Sequence, residues 1–140
     1  MSKNHDTLSP EQRSKVMSRV KNKDTKPEMR VRRMIHAMGY RYRIHRRKLP
    51  GSPDLVFPER RKVIFVHGCF WHHHEDCKHG RIPKSRPEYW VPKLEKNMSR
   101  DIENQAKLRE MGWDIMVIWE CETEEAAGLP NRIMSFLEDW

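Results

Sequence analysis

The chain reads as an α/β protein in which helices flank a mixed β-sheet. Three patterns predict this. Apolar residues recur at helical spacing in segments bounded by capping signals, short apolar runs separated by turn residues read as strands, and a long helical segment lies between two of those strands. A connection of that length suits a parallel crossover, whereas the four-residue connection before it suits a hairpin, so the sheet is mixed.

Ser9-Pro10-Glu11-Gln12 combines a capping Ser, a Pro at the first helical position and a Gln placed to reach back, which starts a short basic helix ending near Val20. A second start follows at Thr25-Lys26-Pro27-Glu28. From there Val31, Met34, Ile35 and Met38 keep helical spacing until Gly39 stops the helix. The period then becomes two, with Tyr40, Tyr42 and Ile44 on one face and Arg41, Arg43 and His45 on the other, as in a half-buried strand. Leu49-Pro50-Gly51-Ser52-Pro53 is a turn. Leu55–Phe57 and Val63–Val66, joined by Pro58-Glu59-Arg60-Arg61, form a hairpin whose second strand is buried on both faces and delivers His67 at its end. A polar, Pro-rich stretch from Cys77 to Pro92 precedes a long helix marked by Leu94, Met98, Ile102, Leu108 and Met111 and closed by Gly112. Trp113–Trp119 is a further strand, and Ile133, Phe136, Leu137 and Trp140 mark a terminal amphipathic helix.

A length of 140 residues suits a single domain spanning 1–140, with residues 1–24 as a basic arm and helix. Substrate recognition and chemistry then share one core. The 28 Lys plus Arg against 20 Asp plus Glu leave a net charge of +8, which favours a polyanionic partner, nucleic acid foremost, over an acidic small molecule. Arg13, Lys15 and Arg19, with Lys21 and Lys23, supply phosphate contacts or a solvated face. No apolar run approaches the ~20 residues that cross a bilayer and the N-terminus lacks a signal-peptide core, so a cytosolic protein is expected. In that reducing compartment three cysteines interleaved with histidines read as metal ligands rather than as a disulfide framework.

His67-Gly68-Cys69-Phe70-Trp71-His72-His73-His74-Glu75-Asp76-Cys77 concentrates thiols and imidazoles at ligand-compatible spacing. Cys69, Cys77, one His of this loop and Cys121, just past a strand end, can complete a tetrahedral zinc site; the plainer alternative is small buried residues in a His-rich loop. Asp54, opening one hairpin strand, and Phe65-Val66-His67, closing the next, meet where the strands pair. A carboxylate there beside main-chain carbonyls is a hard oxygen site suited to magnesium, although a Pro-Asp after Gly is also an ordinary turn. His67 and His72 are the imidazoles left for proton transfer, or are second-layer or surface histidines. Glu28 completes a capping box with Thr25, and a helix start facing the sheet could also aim it at metal-bound water. Phe70, Trp71 and Trp90 sit in polar surroundings, as wedges for a base stack or as a small core over the zinc loop.

The chain resembles the very-short-patch-repair (Vsr) endonuclease family, a bacterial branch of the restriction-endonuclease-like fold that nicks DNA beside a thymine mispaired with guanine. The resemblance runs from about Gln12 to Cys121. Its carriers are Arg13-Ser14-Lys15, Asp24-Thr25 with Glu28, Leu49-Pro50-Gly51-Ser52-Pro53-Asp54, the Val63–His74 string with His-Gly-Cys-Phe-Trp-His at its centre, Glu88-Tyr89-Trp90, and Val117-Ile118-Trp119-Glu120-Cys121. It implies that Asp54, with the carbonyl of Val66, binds catalytic magnesium, that His72 activates water, that His67 assists at the phosphate, and that Glu28 lies in the outer shell. It implies that Cys69, His74, Cys77 and Cys121 bind structural zinc and that Phe70, Trp71 and Trp90 enter the stack beside the mismatch while the basic arm embraces the duplex. A monomer acting on double-stranded DNA with a T:G mismatch, alongside mismatch-repair proteins in the bacterial cytoplasm and nucleoid, completes the expectation. Val66 stands where familiar members carry Thr, and a main-chain carbonyl survives that exchange. Glu75-Asp76 makes the His74-to-Cys77 interval one residue longer than the family pattern, which keeps His72, His73 and His79 open as the imidazole ligand. Two other readings are a double-strand-cutting restriction enzyme and a noncatalytic zinc-stabilised DNA-binding module.

Overall fold

The computed structural model describes residues 25–44, 46, 48–70, 72, 74, 86–124 and 127–139. The helix expected over Ser9–Val20 and the rest of the arm lie outside them, as does Trp140. The order of elements is α1 (Lys26–Ala37), β1 (Leu55–Phe57), β2 (Lys62–His67), α2 (Pro87–Glu110), β3 (Asp114–Trp119), α3 (Glu120–Glu124) and α4 (Leu129–Glu138).

The sheet order is β1-β2-β3. β1 and β2 pair antiparallel through the turn at Pro58–Arg61, with Leu55 opposite Ile64, and β2 and β3 pair parallel from Lys62↔Asp114 to His67↔Trp119. The mixed sheet follows from its connections: four residues permit only a hairpin, and α2 carries the chain back for a parallel return.

Alternation along the strands sorts two cores. Leu55, Phe57, Ile64 and Ile118 face α1 and α4, where Val31, Ile35, Leu129, Ile133 and Leu137 meet them. Val56, Val63 and Phe65 face the other way, against Leu108 of α2 and Trp113. Each fully buried Leu, Ile or Val stabilises this sandwich by about 1.5–3 kcal/mol relative to exposure. His67 shares the parity of Val63 and Phe65, which sets it on the α2 side of the sheet.

α1 begins as its sequence dictates: Thr25 caps it by accepting the Glu28 N–H, Pro27 occupies the first turn, and Gly39 at φ 91° follows its end. Three expectations are corrected. The strand expected over Tyr40–His45 reduces, among the described residues, to one bridge, Arg43 with Val56, because β1 is three residues long and offers no longer edge; His45 lies outside those residues. The alternation is still real, since Tyr40 and Tyr42 pack on the core while Arg41 and Arg43 are exposed. The stretch before the long helix was expected to run to Pro92, yet α2 starts at Pro87, which suits a first-turn position, and Pro92 lies inside the helix at the cost of one backbone bond. Ile102 and Met111, expected on the buried face of α2, are 70% and 47% exposed, so Leu94 and Leu108 hold that helix down. Among the described residues no helix is long and apolar enough to cross a membrane.

Candidate functional site

The site forms where the hairpin opens. Pairing between β1 and β2 ends at Leu55↔Ile64, and beyond it the Val66 N–H donates to Asp54 Oδ2 at 2.6 Å. The turn before Asp54 is tightly seated: Gly51 has φ 77°, and a Cβ there would lie 3.1 Å from Asn104 Cβ and 3.2 Å from the Phe65 ring. Burial raises the Asp54 pKa to about 8; the adjacent Glu28 carboxylate adds to this, while the Val66 N–H and Arg32 oppose it. Glu28 and Arg32 form a buried ion pair on the first turns of α1. The start of α1 places Glu28: Thr25 Oγ1 accepts its N–H, and its carboxylate turns inward to Arg32 and Asp54.

His67 and His72 stack face to face, with centroids 3.8 Å apart and planes 5° from parallel. The His72 Nδ1 lies 2.5 Å from Asp101 Oδ2 on α2. A carboxylate at Nδ1 selects the tautomer with its proton there and leaves Nε2 as an acceptor. His67 is 5% exposed, and its buried Nδ1 has no hydrogen-bond partner among the described residues. Burial lowers its pKa to about 4, with His72 adding to that and Asp101 opposing, so the ring is neutral near pH 7. Glu28, Asp54, Val66, His67, His72 and Asp101 line one cleft of about 870 Å³.

A second cluster lies on the same loop. His74 Nδ1 is 3.6 Å from Cys69 Sγ and 3.5 Å from Cys121 Sγ, and the three ligand atoms all lie within 4.8 Å of one another. The His74 ring stacks on Trp119 at 4.2 Å, the His74 main-chain N–H donates to the Cys69 carbonyl, and the Cys69 main-chain N–H donates to the Glu120 carboxylate. Sulfur and nitrogen ligands on a tetrahedral zinc are separated by roughly 3.5 Å, given bonds of about 2.3 and 2.0 Å. The donor set and its spacing therefore fit that metal. Of the histidines left open, His74 meets the thiols and His72 faces the cleft; Cys77, His73 and His79 lie outside the described residues. The Asp54 site also suits a hard cation: a buried carboxylate beside a second one gains most from a divalent charge.

Phe70 meets Trp90 edge-on at 5.2 Å, and Tyr89 packs against Trp90 at 4.8 Å, so loop and helix aromatics form one group. Trp71, Arg13, Lys15 and Arg19 lie outside the described residues. Sequence reasoning missed Asp101. The signal available was a polar stripe on α2, Asn97, Asp101, Asn104 and Gln105, at spacings of three and four that place all of them along the cleft.

The family model described as DNA mismatch endonuclease Vsr matches residues 5–79. The chain is 50% identical over 133 residues to the type II nicking enzyme V.XorIIP of Xanthomonas oryzae pv. oryzae, covering 95% of this chain and 97% of that one. It is 41% identical over 128 residues to the type II nicking enzyme V.NmeAIP of Neisseria meningitidis, covering 91% of each. With the DNA mismatch endonuclease Vsr of Escherichia coli it shares 39% identity over 129 residues, covering 91% of this chain and 82% of that protein. The family match over more than half the chain and these relatives along nearly all of it make the protein a member of the Vsr DNA mismatch endonuclease family.

Proposed function

We propose that this protein is a magnesium-dependent endonuclease of restriction-endonuclease-like fold that nicks one strand of duplex DNA beside a T:G mismatch in very-short-patch repair. The observation that carries the reading is the convergence of Asp54, His67 and His72, from separate positions in the chain, on one cleft beside a thiol and imidazole cluster. The names of the relatives, a DNA mismatch endonuclease and type II nicking enzymes, support the reaction class.

Asp54 and the Val66 carbonyl hold the catalytic ion, with Glu28 behind them. When bound, magnesium supplies Lewis-acid stabilisation of the charge that develops on the scissile phosphate. His72, held through Nδ1 by Asp101, accepts the proton of the attacking water at Nε2. Neutral His67 offers one N–H to a phosphate oxygen. Cys69, His74, Cys77 and Cys121 hold zinc, which when bound cross-links the 69–77 loop to the end of β3. Phe70, Trp71 and Trp90 enter the base stack, where a mispaired step unstacks at lower cost than a paired one, and the 1–24 arm, with Arg13, Lys15 and Arg19, follows the phosphates.

The test is a magnesium-dependent cleavage assay on duplexes carrying each single mismatch, with Asp54→Ala alongside. Nicked T:G duplex with the wild type, and retained binding without cleavage for Asp54→Ala, are expected. Linear product, indifference to the mismatch, or unchanged cleavage by Asp54→Ala would overturn the proposal.

A further inference from the structure

Charges in the cleft divide by depth. Its carboxylates are engaged inside: Glu28 with Arg32, Asp54 with the Val66 N–H, and Asp101 with His72. Arg46 and Arg100 also line the cleft, both are exposed, and neither has a carboxylate partner among the described residues. Arg46 comes from the segment leading into the Leu49–Pro53 turn. Arg100 stands on α2 beside Asp101 and donates to Asn97 Oδ1 at 2.6 Å, which holds it along the helix.

This arrangement has an electrostatic problem and a solution. A polyanion entering over the Glu28 and Asp101 carboxylates is held in place only where fixed cations meet it at the mouth. Guanidinium groups suit that place because they stay charged at every working pH and match phosphate oxygens with two donors.

We propose that Arg46 and Arg100 form a phosphate clamp, each holding a backbone phosphate of the cut strand next to the scissile one and so fixing which phosphodiester sits over Asp54. This rests on the endonuclease reading above and adds two positioning residues to it. Neither arginine touches the reacting atoms, so removing one weakens substrate capture and loosens the cut position while the chemical step persists.

The experiment uses the full chain on a T:G duplex with Arg46→Gln, Arg100→Gln, the two Arg→Lys variants and, as a control outside the cleft, Arg132→Gln. Each Gln variant should flatten the slope of log binding constant against log salt by about 0.9. It should also raise KM about tenfold at near-physiological salt, with kcat within about threefold of wild type. Lys should restore the salt slope but not the full KM, because it keeps the charge and loses the second donor. Salt slopes and KM values that match those of Arg132→Gln at both positions would overturn the clamp. A wild-type protein that binds duplex without nicking it would defeat the endonuclease reading, and the binding slopes would still judge the two arginines separately.

Discussion

The burial of Asp54 has a measurable consequence before any substrate is present. With its pKa raised from 3.8 to about 8, Asp54 is neutral in the folded chain and ionised in the unfolded chain between those values, so its contribution to stability is complete below pH 3.8 and is lost as pH rises through 8. His67 runs the other way: lowered from 6.5 to about 4, it contributes stability above pH 6.5 that is lost as pH falls through 4. Each effect has a slope of about 1.4 kcal/mol per pH unit within its window, so the two oppose each other from pH 4 to 6.5. Above pH 6.5 Asp54 dominates and costs the folded state about 1–2 kcal/mol by pH 8. Urea unfolding of magnesium-free protein across this range should show that decline, and Asp54→Asn should abolish it. Because the proton must leave before a cation binds, the apparent magnesium affinity of the wild type should rise about 50-fold between pH 6 and 8, as read from half-saturation in the nicking assay. Identical pH dependence of stability in wild type and Asp54→Asn, or a half-saturation that does not move, would refute the reasoning.

His72→Ala should lower the nicking rate by roughly 10²–10⁴, and Asp101→Asn by about 10–100-fold, with duplex binding unchanged in a gel-shift assay for both. Cys121→Ala should lose zinc by elemental analysis and lower the unfolding midpoint together, since structural zinc affinity is coupled to folding; a stable variant with stoichiometric zinc would count against that ligand. Gly51→Ala places a Cβ against Asn104 and Phe65 at positive φ, so it should cost about 1–3 kcal/mol in urea unfolding. Leu108→Ala should cost about 2–5 kcal/mol by the same measurement, through a cavity between α2 and the sheet.

Much of this architecture is legible in local pattern. Thr25, Pro27 and Gly39 bound α1 through capping chemistry that depends on near neighbours alone, and the Val63–Val66 run declares a strand buried on both faces. The hairpin also made the meeting of Asp54 with Val66 and His67 foreseeable, because paired ends are close by construction. Asp101 was not foreseeable in that way: it pairs with His72 across 29 residues, and the polar stripe it shares with Asn97, Asn104 and Gln105 marks a helix face without naming its partner. The burial of α2 was misjudged because apolar spacing marks a face without saying how much of a 24-residue helix the sheet covers, and β3 reaches only part of it. The short helix α3, which turns Cys121 toward His74, lacks a cap signal and owes its place to Thr123, whose hydroxyl donates to the Glu120 carbonyl and accepts from Arg30.

One residue separates His72 from His74, yet their rings serve different neighbours, Asp101 in the first case and the two sulfurs in the second. Two peptide units span about 7 Å, too short a tether to absorb a shift at one end without passing it to the other. A displacement of the loop at the two sulfurs is therefore passed along to the imidazole beside Asp101.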